Sequence, residues 1–205
     1  MNPFDENKFN EQTQQPAGQG EQPAAPEKKT FFQTVREILT VALKKTAVKV
    51  GIAVVIAAII IGVILSSGDP VQDDLIDYIN KDLQTVITPE GEAIDLYDAA
   101  KKDTATDHEM YLMLRDEVLP AARKWDNAAE AISVETEEVR KVHELYIEMV
   151  NEYYSGWTLM LSALEKQDYT LMTQANEKLN SGKKLGRDFQ AELSKLMAEH
   201  DVVYE

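Results

Sequence analysis

Cysteine is absent from the chain of 205 residues. This absence excludes disulfide bonds, thiolate metal ligands, cysteine nucleophiles and the lipid-modified cysteine of a lipoprotein. Glycine and proline are sparse, with 9 and 7 residues, and no segment alternates polar and apolar residues as a half-buried strand does. The chain is therefore predicted to be all-α.

Catalytic and metal-binding motifs are also missing. The three histidines, His108, His143 and His200, lack the glutamate three residues earlier that di-iron bundles use. His143-Glu144 is not followed by the second histidine of a zinc protease, and no serine lies in a Gly-x-Ser-x-Gly turn. Gly182 and Gly186 fall inside a helical stripe, so they do not form a phosphate-binding loop. We expect no enzyme, no metal and no cofactor.

Negative charge is in excess and is unevenly placed. Residues 1–68 contain 7 basic and 6 acidic residues, whereas residues 69–205 contain 14 basic and 30 acidic residues, a net charge of −16 for that part. Such an acidic domain is unsuited to nucleic acid or to anionic lipid, both of which attract lysine and arginine. The aspartates Asp69, Asp73, Asp74 and Asp77 leave a loose divalent-ion site as a minor alternative.

Only one long apolar run is present, residues 47–67, with no charge from Val50 to Ser67. A membrane-spanning helix needs roughly 20 apolar residues, so this run is predicted to be a single transmembrane helix in contact with the lipid bilayer. The pairs Ala58/Gly62 and Ala53/Ala57 have the small-xxx-small spacing that lets two helices approach, which permits a homodimer.

Basic residues flank this run on one side only: Arg36, Lys44, Lys45 and Lys49 precede it, whereas the first charges after it are aspartates. Positive charge beside a membrane helix stays cytoplasmic. We therefore predict a cytoplasmic N-terminus and an extracytoplasmic C-terminal domain. The competing interpretation, a cleaved signal peptide, would need a charged region of almost fifty residues, and no A-x-A-like cleavage site follows the run. An uncleaved signal-anchor is preferred.

Two segments precede the apolar run. Residues 1–29 are rich in Gln, Asn, Pro, Gly and Glu and are predicted to be a disordered cytoplasmic tail. The alternative is that Phe4 and Phe9 capture a partner. Residues 30–46 place apolar side chains on one helical face and are predicted to be an amphipathic juxtamembrane segment. The alternative is that they continue directly into the membrane helix.

The remainder, residues 70–199, is predicted to form four helices over about 70–101, 107–132, 135–166 and 169–199, followed by a frayed end at 200–205. Apolar stripes at spacings of three and four carry this prediction, most clearly in the third helix: Val139, Val142, Tyr146, Met149, Tyr153, Trp157, Met160 and Leu164. Short connections make successive helices antiparallel. The predicted fold is an up-down-up-down four-helix bundle.

Helix ends and interruptions follow from single residues. Thr106 and Glu109 have capping-box spacing, Ser133 is the predicted cap of the third helix, and Asp168 is that of the fourth. The stretch 88–91, with Thr88 as cap and Pro89 in the first helical position, predicts a kink or break in the first helix. Pro120 predicts a bend in the second.

The third helix concentrates aromatic residues, and these allow two interpretations. Tyr146, Tyr153 and Trp157 could line a ligand slot between helices, because aromatic residues with polar tips are common in such sites. They could equally fill a packed core, which is the preferred interpretation. Tyr153 and Tyr154 are adjacent, so one of the two must be partly exposed.

The segments 133–151 (SVETEEVRKVHELYIEMVN) and 161–185 (LSALEKQDYTLMTQANEKLNSGKKL) resemble extracytoplasmic helical domains of membrane- or lipid-anchored proteins in low-GC Gram-positive bacteria. The function of that group is uncharacterised. The resemblance implies bacterial origin and a place outside the membrane, and it transfers no catalytic or binding residue.

The sequence thus predicts a non-catalytic, membrane-anchored cell-envelope protein. Its acidic bundle would act as an interaction module for an envelope protein. The alternative is a sensor that binds a small ligand near Tyr146, Tyr153 and Trp157.

Overall fold

A computed structural model describes residues 68–202, and this part of the chain contains helices and no strand. Helix α1 comprises Pro70–Asp77, a π-helical turn Tyr78–Asp82 and Leu83–Asp103. Helix α2 comprises Asp107–Met113, a π-helical turn Leu114–Val118 and Leu119–Glu130. Helices α3 (Glu137–Lys166) and α4 (Tyr169–Glu199) are uninterrupted. The all-α prediction with four helices is confirmed.

Of the kink or break predicted at Pro89 in helix α1, the break does not occur. The segment Leu83–Asp103 is continuous, with Pro89 inside it. A proline in a helix costs about 3 kcal/mol, but Val86 and Ala93, on either side of Pro89, are both fully buried. Their packing holds the helix together across the missing backbone donor. Thr88 therefore caps nothing.

Helix α2 begins at the predicted capping box, in which Thr106 Oγ1 accepts from the Glu109 backbone N–H at 3.1 Å and the Glu109 carboxylate accepts from the Thr106 N–H at 3.1 Å. Around Pro120 the helix does not end. The π-helical turn Leu114–Val118 ends two residues before Pro120. It contains Asp116, the residue four positions before the proline. A π-helical turn is wider than an α-helical one, so it gives the Pro120 ring room beside the backbone carbonyl group of Asp116.

Helix α3 is capped differently from the prediction. Its N-cap is Thr136 rather than Ser133, and the Thr136 side chain makes no capping bond within its own helix. A carboxylate from α1 takes that role, because Asp74 accepts from the Thr136 N–H at 2.7 Å and from Thr136 Oγ1 at 2.6 Å. Asp168 caps α4 as predicted, accepting from the Thr170 N–H at 2.8 Å.

All four helices contribute to one core. The predicted stripe of α3 is buried at every position, and those of α1, α2 and α4 are buried or partly buried. Helices α3 and α4 approach each other closely where glycine lies at their contacts. A Cβ atom on Gly156 would lie 2.7 Å from Leu179 Cδ2, and one on Gly182 would lie 3.1 Å from the Tyr153 ring.

The end of α4 contacts the start of α1 within the described residues, and the frayed end at 200–205 stays a prediction. His200 Nδ1 lies 2.6 Å from Asp69 Oδ2, and the His200 carbonyl accepts from Gln72 Nε2 at 2.7 Å. Val202 is buried. The hydrogen bonds to the start of α1, together with burial of Val202, hold residues 200–202 against the bundle. Residues 203–205 lie outside the described residues.

The segments predicted before the bundle, 1–29, 30–46 and 47–67, lie outside the described residues, as do Arg36, Lys44, Lys45 and Lys49. Among the helices of residues 68–202, none has the length and apolar character needed to cross a bilayer.

Candidate functional site

The three predicted ligand-binding residues lie on the core face of α3. Tyr146 and Trp157 are fully buried, and Tyr153 is 3% exposed. They belong to a connected group of rings, the aromatic cluster, in which neighbouring ring centroids lie 5.2–6.5 Å apart. Its members come from every helix: Tyr97, Trp125, Tyr146, Tyr153, Trp157 and Phe189. The rings therefore form part of the packed core, which was the preferred interpretation.

Tyr146 lies at the centre of a hydrogen-bonded chain that joins three helices. Its hydroxyl accepts from Trp125 Nε1–H on α2 at 2.9 Å and donates to Glu90 Oε2 on α1 at 2.8 Å. Burial, and secondarily the charge of Glu90, raise the pKa of Tyr146 far above its usual range. The phenol therefore stays protonated and serves as the donor to the carboxylate.

Glu90 was not identified from the sequence as a core residue. In the structure this acidic side chain is only 4% exposed. A carboxylate is seldom buried without a partner, and here the Tyr146 hydroxyl supplies one. A signal was available, because Val86, Glu90, Ala93 and Tyr97 follow one another at spacings of four, three and four and are all buried. The charge of Glu90 concealed its place in the stripe.

Tyr153 and Trp157 differ from Tyr146 in their polar atoms. Within the described residues, the Tyr153 hydroxyl and Trp157 Nε1 are buried and have no hydrogen-bond partner. Burial raises the pKa of Tyr153, so the hydroxyl keeps its proton. Buried polar groups are normally paired, and leaving one unpaired costs about 1–3 kcal/mol. Two neighbouring unpaired groups, with ring centroids 5.5 Å apart, mark this part of the core as polar and unsatisfied.

The expectation about the adjacent tyrosines is confirmed. Tyr153 is buried, whereas Tyr154 is only partly buried. The Tyr154 hydroxyl accepts from Arg123 Nη2 on α2 at 2.6 Å, and the Arg123 guanidinium carbon lies 5.7 Å from the Tyr154 ring centroid. Tyr154 therefore joins α2 to α3 at the surface.

His143 is a core residue. Its Nε2 lies 3.2 Å from the Ala129 carbonyl oxygen and its Nδ1 lies 3.1 Å from the Tyr78 hydroxyl. This pattern fits a neutral ring in which Nε2–H donates to the carbonyl and Nδ1 accepts from the tyrosine. Burial lowers the pKa of His143, which favours the same neutral form.

The aspartates at the start of α1 are used separately. Asp69 contacts His200, Asp74 caps α3, and Asp77 lies 2.7 Å from Lys81. Among the described residues, no three His, Asp or Glu side chains are grouped so that they could hold a metal ion. Asp69 and Asp74 therefore serve helix ends, and Asp77 forms a surface ion pair.

Two lysines lie near the aromatic cluster, Lys101 on α1 and Lys183 on α4. Lys101 Nζ lies 4.6 Å from the Tyr97 ring centroid and 2.6 Å from Asp98 Oδ1. Lys183 is partly buried and follows Gly182, which packs on the Tyr153 ring. Burial, and then the charge of Lys101, lower the pKa of Lys183.

No known family model, curated protein or solved structure matches the chain.

Proposed function

We propose that the chain is a single-pass, membrane-anchored cell-envelope protein whose acidic extracytoplasmic bundle is a non-catalytic interaction module. The distribution of charge carries this proposal. Residues 69–205 have a net charge of −16, and Asp74 and Glu90 are the buried acidic residues among those that the structure describes. The negative charge of residues 68–202 is therefore displayed almost entirely on the surface.

We further infer an up-down-up-down arrangement of the four helices. Contacts between α3 and α4 support it, because Met149, Tyr153 and Gly156 meet Gly186, Gly182 and Leu179 respectively. Contacts between α2 and α3 also run in opposite directions, with Ala129 bonded to His143 and Arg123 bonded to Tyr154. Along α1 and α3 the residue numbers rise together, as in the pairs Tyr78–His143 and Tyr97–Trp157.

The proposed anchor is residues 47–67, with its basic flank on the cytoplasmic side. Asp69 begins α1, accepting from the Val71 N–H at 3.0 Å, and its other carboxylate oxygen contacts His200. The first and last residues of the bundle therefore lie in contact, and the first of them follows the apolar run closely in the sequence. This contact supports a domain that stands on its anchor without a linker.

The proposed partner has a basic surface. Excess charge of one sign speeds encounter with a partner of opposite sign and selects against partners of like sign. Such recognition weakens as salt screens the charges, with a Debye length of about 8 Å at physiological ionic strength. The acidic surface has little affinity for anionic lipid, which favours a protein partner in the envelope.

Protease shaving tests the topology. Intact cells that express the full chain would be treated with an external protease, and the fragments would be detected with tags at each end. Proteolytic loss of residues 70–205 with retention of the N-terminal tag is expected. Protection of residues 70–205 in intact cells, followed by cleavage after lysis, contradicts the topology.

Cross-linking in native membranes tests the interaction. The acidic variant would combine Glu138→Gln, Glu144→Gln and Glu148→Gln, three exposed residues of α3. The matched control would combine three conservative changes at exposed amides, Asn127→Gln, Asn151→Gln and Asn180→Gln. We expect a basic partner to be cross-linked by the wild type and the control, and less by the acidic variant and at high salt. Equal cross-linking of the partner by the wild type, the control and the acidic variant, and by the wild type at high salt, contradicts electrostatic recognition.

A further inference from the structure

The end of α4 and the start of α1 are joined by two polar contacts, which we call the terminal clasp (Asp69, Gln72 and His200). His200 Nδ1 lies 2.6 Å from Asp69 Oδ2, and the His200 carbonyl oxygen accepts from Gln72 Nε2 at 2.7 Å. The other carboxylate oxygen of Asp69 accepts from the Val71 N–H at 3.0 Å and caps α1. One side of the clasp is an imidazole, the side chain that ordinarily changes charge near neutral pH.

The chain leaves α4 through a strained turn directly after His200. Asp201 has a φ of 53°, in the left-handed region that costs free energy in residues other than glycine. The Val202 N–H closes the turn by donating to the Met197 carbonyl oxygen at 2.8 Å, and the Val202 side chain is buried. Strain of this kind persists only while the surrounding contacts hold the turn. Loss of the clasp should therefore release residues 200–202 from the bundle.

The clasp is strongest when the His200 ring is protonated. The hydrogen bond from His200 holds the pKa of Asp69 below its usual range, so the carboxylate stays ionised in mild acid. A carboxylate binds an imidazolium more strongly than a neutral imidazole, because charge then assists the hydrogen bond. Among the described residues, His200 is the charged side chain that acts on the Asp69 carboxylate.

The other charged residues near this end of the bundle do not supply a competing cation. The start of α3 lies at the same end as the start of α1, because Asp74 accepts from the Glu135 N–H. The nearby basic residues Lys81, Arg140, Lys141 and Lys195 pair with Asp77, Glu137 and Glu192. The remaining charged side chains from α1, the start of α3 and the end of α4 are acidic: Asp73, Glu135, Glu138, Glu199 and Asp201.

We propose that the terminal clasp is a proton-controlled switch that fixes the end of α4 to the start of α1. While His200 is protonated, it binds Asp69 and residues 200–202 stay packed on the bundle. When the ring loses its proton as the pH rises, the charge-assisted bond is lost, water competes for the neutral ring, and Asp201 relaxes from its strained turn.

The switch lies beside the apolar run, because Asp69 follows residue 67 by two positions. Its place at the membrane therefore rests on the proposed function, in which residues 47–67 are the anchor. Its response to protons rests only on contacts within residues 69–202.

Nuclear magnetic resonance of the full chain purified in detergent tests the switch. The His200 ring, the Gln72 side-chain amide and the Val202 N–H would be followed from about pH 5 to about pH 8, the range in which histidine changes charge. Hydrogen exchange of the Val202 N–H, divided by the intrinsic exchange rate at each pH, gives its protection.

Two variants remove one side of the clasp each. Asp69→Asn removes the charge and keeps a side-chain oxygen that can cap α1. His200→Gln removes the titrating ring and keeps the carbonyl group that accepts from Gln72. Both positions are partly exposed, so the bundle should fold in both variants, and circular dichroism checks this. Asp73→Asn, at an exposed position one turn further along α1, is the matched control.

In the wild type and in Asp73→Asn, the Gln72 amide signal should move with the same midpoint as the His200 ring. Protection of the Val202 N–H should fall about two- to fivefold between the acidic and the basic end of the range, as expected for loss of an exposed ion pair. In His200→Gln the Gln72 signal should not titrate. In both clasp variants the protection of Val202 should be low throughout.

Three results overturn the proposal. The first is protection of Val202 that does not change with pH in the wild type. The second is titration of the Gln72 signal in His200→Gln as in the wild type, which would assign the response to another group. The third is equal protection of Val202 in Asp69→Asn and the wild type at about pH 5. Failure of the topology in protease shaving would leave all three measurements unchanged, so the two proposals fail separately.

Discussion

The carboxylate of Asp74 on α1 accepts both the backbone N–H and the side-chain Oγ1–H of Thr136, at 2.7 and 2.6 Å, at the start of α3. It also accepts from the Glu135 N–H at 3.1 Å. The first N–H groups of a helix have no partner within the helix, and its N-terminus attracts negative charge. Asp74 thus caps the N-terminus of a helix that starts more than sixty positions later in the chain.

Removing this carboxylate should destabilise the bundle. Asp74→Ala leaves the Thr136 N–H and hydroxyl without their acceptor in a partly buried place, so we expect the free energy of unfolding to fall by about 1–3 kcal/mol. Urea denaturation followed by circular dichroism measures the change. Asp95→Ala, at an exposed position of the same helix, is the control and should change stability by less than about 0.5 kcal/mol. Equal effects of the two variants would contradict the capping role.

The same substitution at two glycines should have opposite effects. Gly156→Ala places a methyl group 2.7 Å from Leu179 Cδ2 and 3.2 Å from the Ala175 carbonyl oxygen, so we expect a loss of about 1–3 kcal/mol from overpacking. At Gly91 of α1 no atom lies within 4 Å of the added Cβ. Gly91→Ala should therefore add about 0.5–1 kcal/mol through helix propensity. Thermal unfolding of both variants measures the contrast, and destabilisation by Gly91→Ala would contradict it.

Local signals in the sequence predicted the helices well. Apolar spacing located all four, and the caps at Thr106 and Asp168 were found because a cap and its helix are adjacent in the chain. The cap of α3 was missed because its acceptor, Asp74, is distant in sequence. Of the kink or break predicted at Pro89, the break does not occur, because burial of Val86 and Ala93 depends on tertiary packing, which local propensity does not contain.

The site was predictable only in part. The stripe of α3 identified Tyr146, Tyr153 and Trp157 as one face, but spacing does not distinguish a bonded hydroxyl from an unpaired one. That difference depends on Glu90 and Trp125, which lie on other helices. Charge misled the interpretation of Glu90, because a carboxylate in an apolar stripe is usually assigned to the surface. Its burial requires a partner that only the folded structure reveals.

Tyr146 and Tyr153, on the same face of α3, should respond differently to loss of the hydroxyl. Tyr146→Phe removes the acceptor of Trp125 Nε1–H and the donor to Glu90, so we expect a loss of about 1–3 kcal/mol in the free energy of unfolding. Tyr153→Phe removes a buried hydroxyl that has no partner in the described residues. It should therefore leave stability unchanged or raise it slightly.

Urea denaturation of both variants checks this contrast. A double-mutant cycle of Tyr146→Phe with Glu90→Gln then isolates the bond between the hydroxyl and the carboxylate. Additive losses in the cycle would show that this bond contributes nothing to stability. A loss for Tyr153→Phe as large as that for Tyr146→Phe would show that the Tyr153 hydroxyl has a partner in solution.

His143 should make the bundle sensitive to acid. Burial lowers the pKa of His143 below its ordinary value of 6.5, so the fold favours the neutral ring. The stabilisation from this difference is complete above pH 6.5 and is lost as the pH falls through the lower pKa of the folded state. Protonation would also place a proton on Nδ1, which accepts from the Tyr78 hydroxyl in the neutral ring.

Unfolding free energies measured at a series of pH values from neutral downward should therefore fall more steeply for the wild type than for His143→Gln. Subtracting the two curves cancels the contributions of the groups that the two proteins share. His200→Gln, at the partly exposed end of α4, should retain the steep acid loss due to His143. Parallel curves for the wild type and His143→Gln would mean that the ring has the same pKa in the folded and unfolded states, and that the neutral pairing with Tyr78 and Ala129 does not control stability.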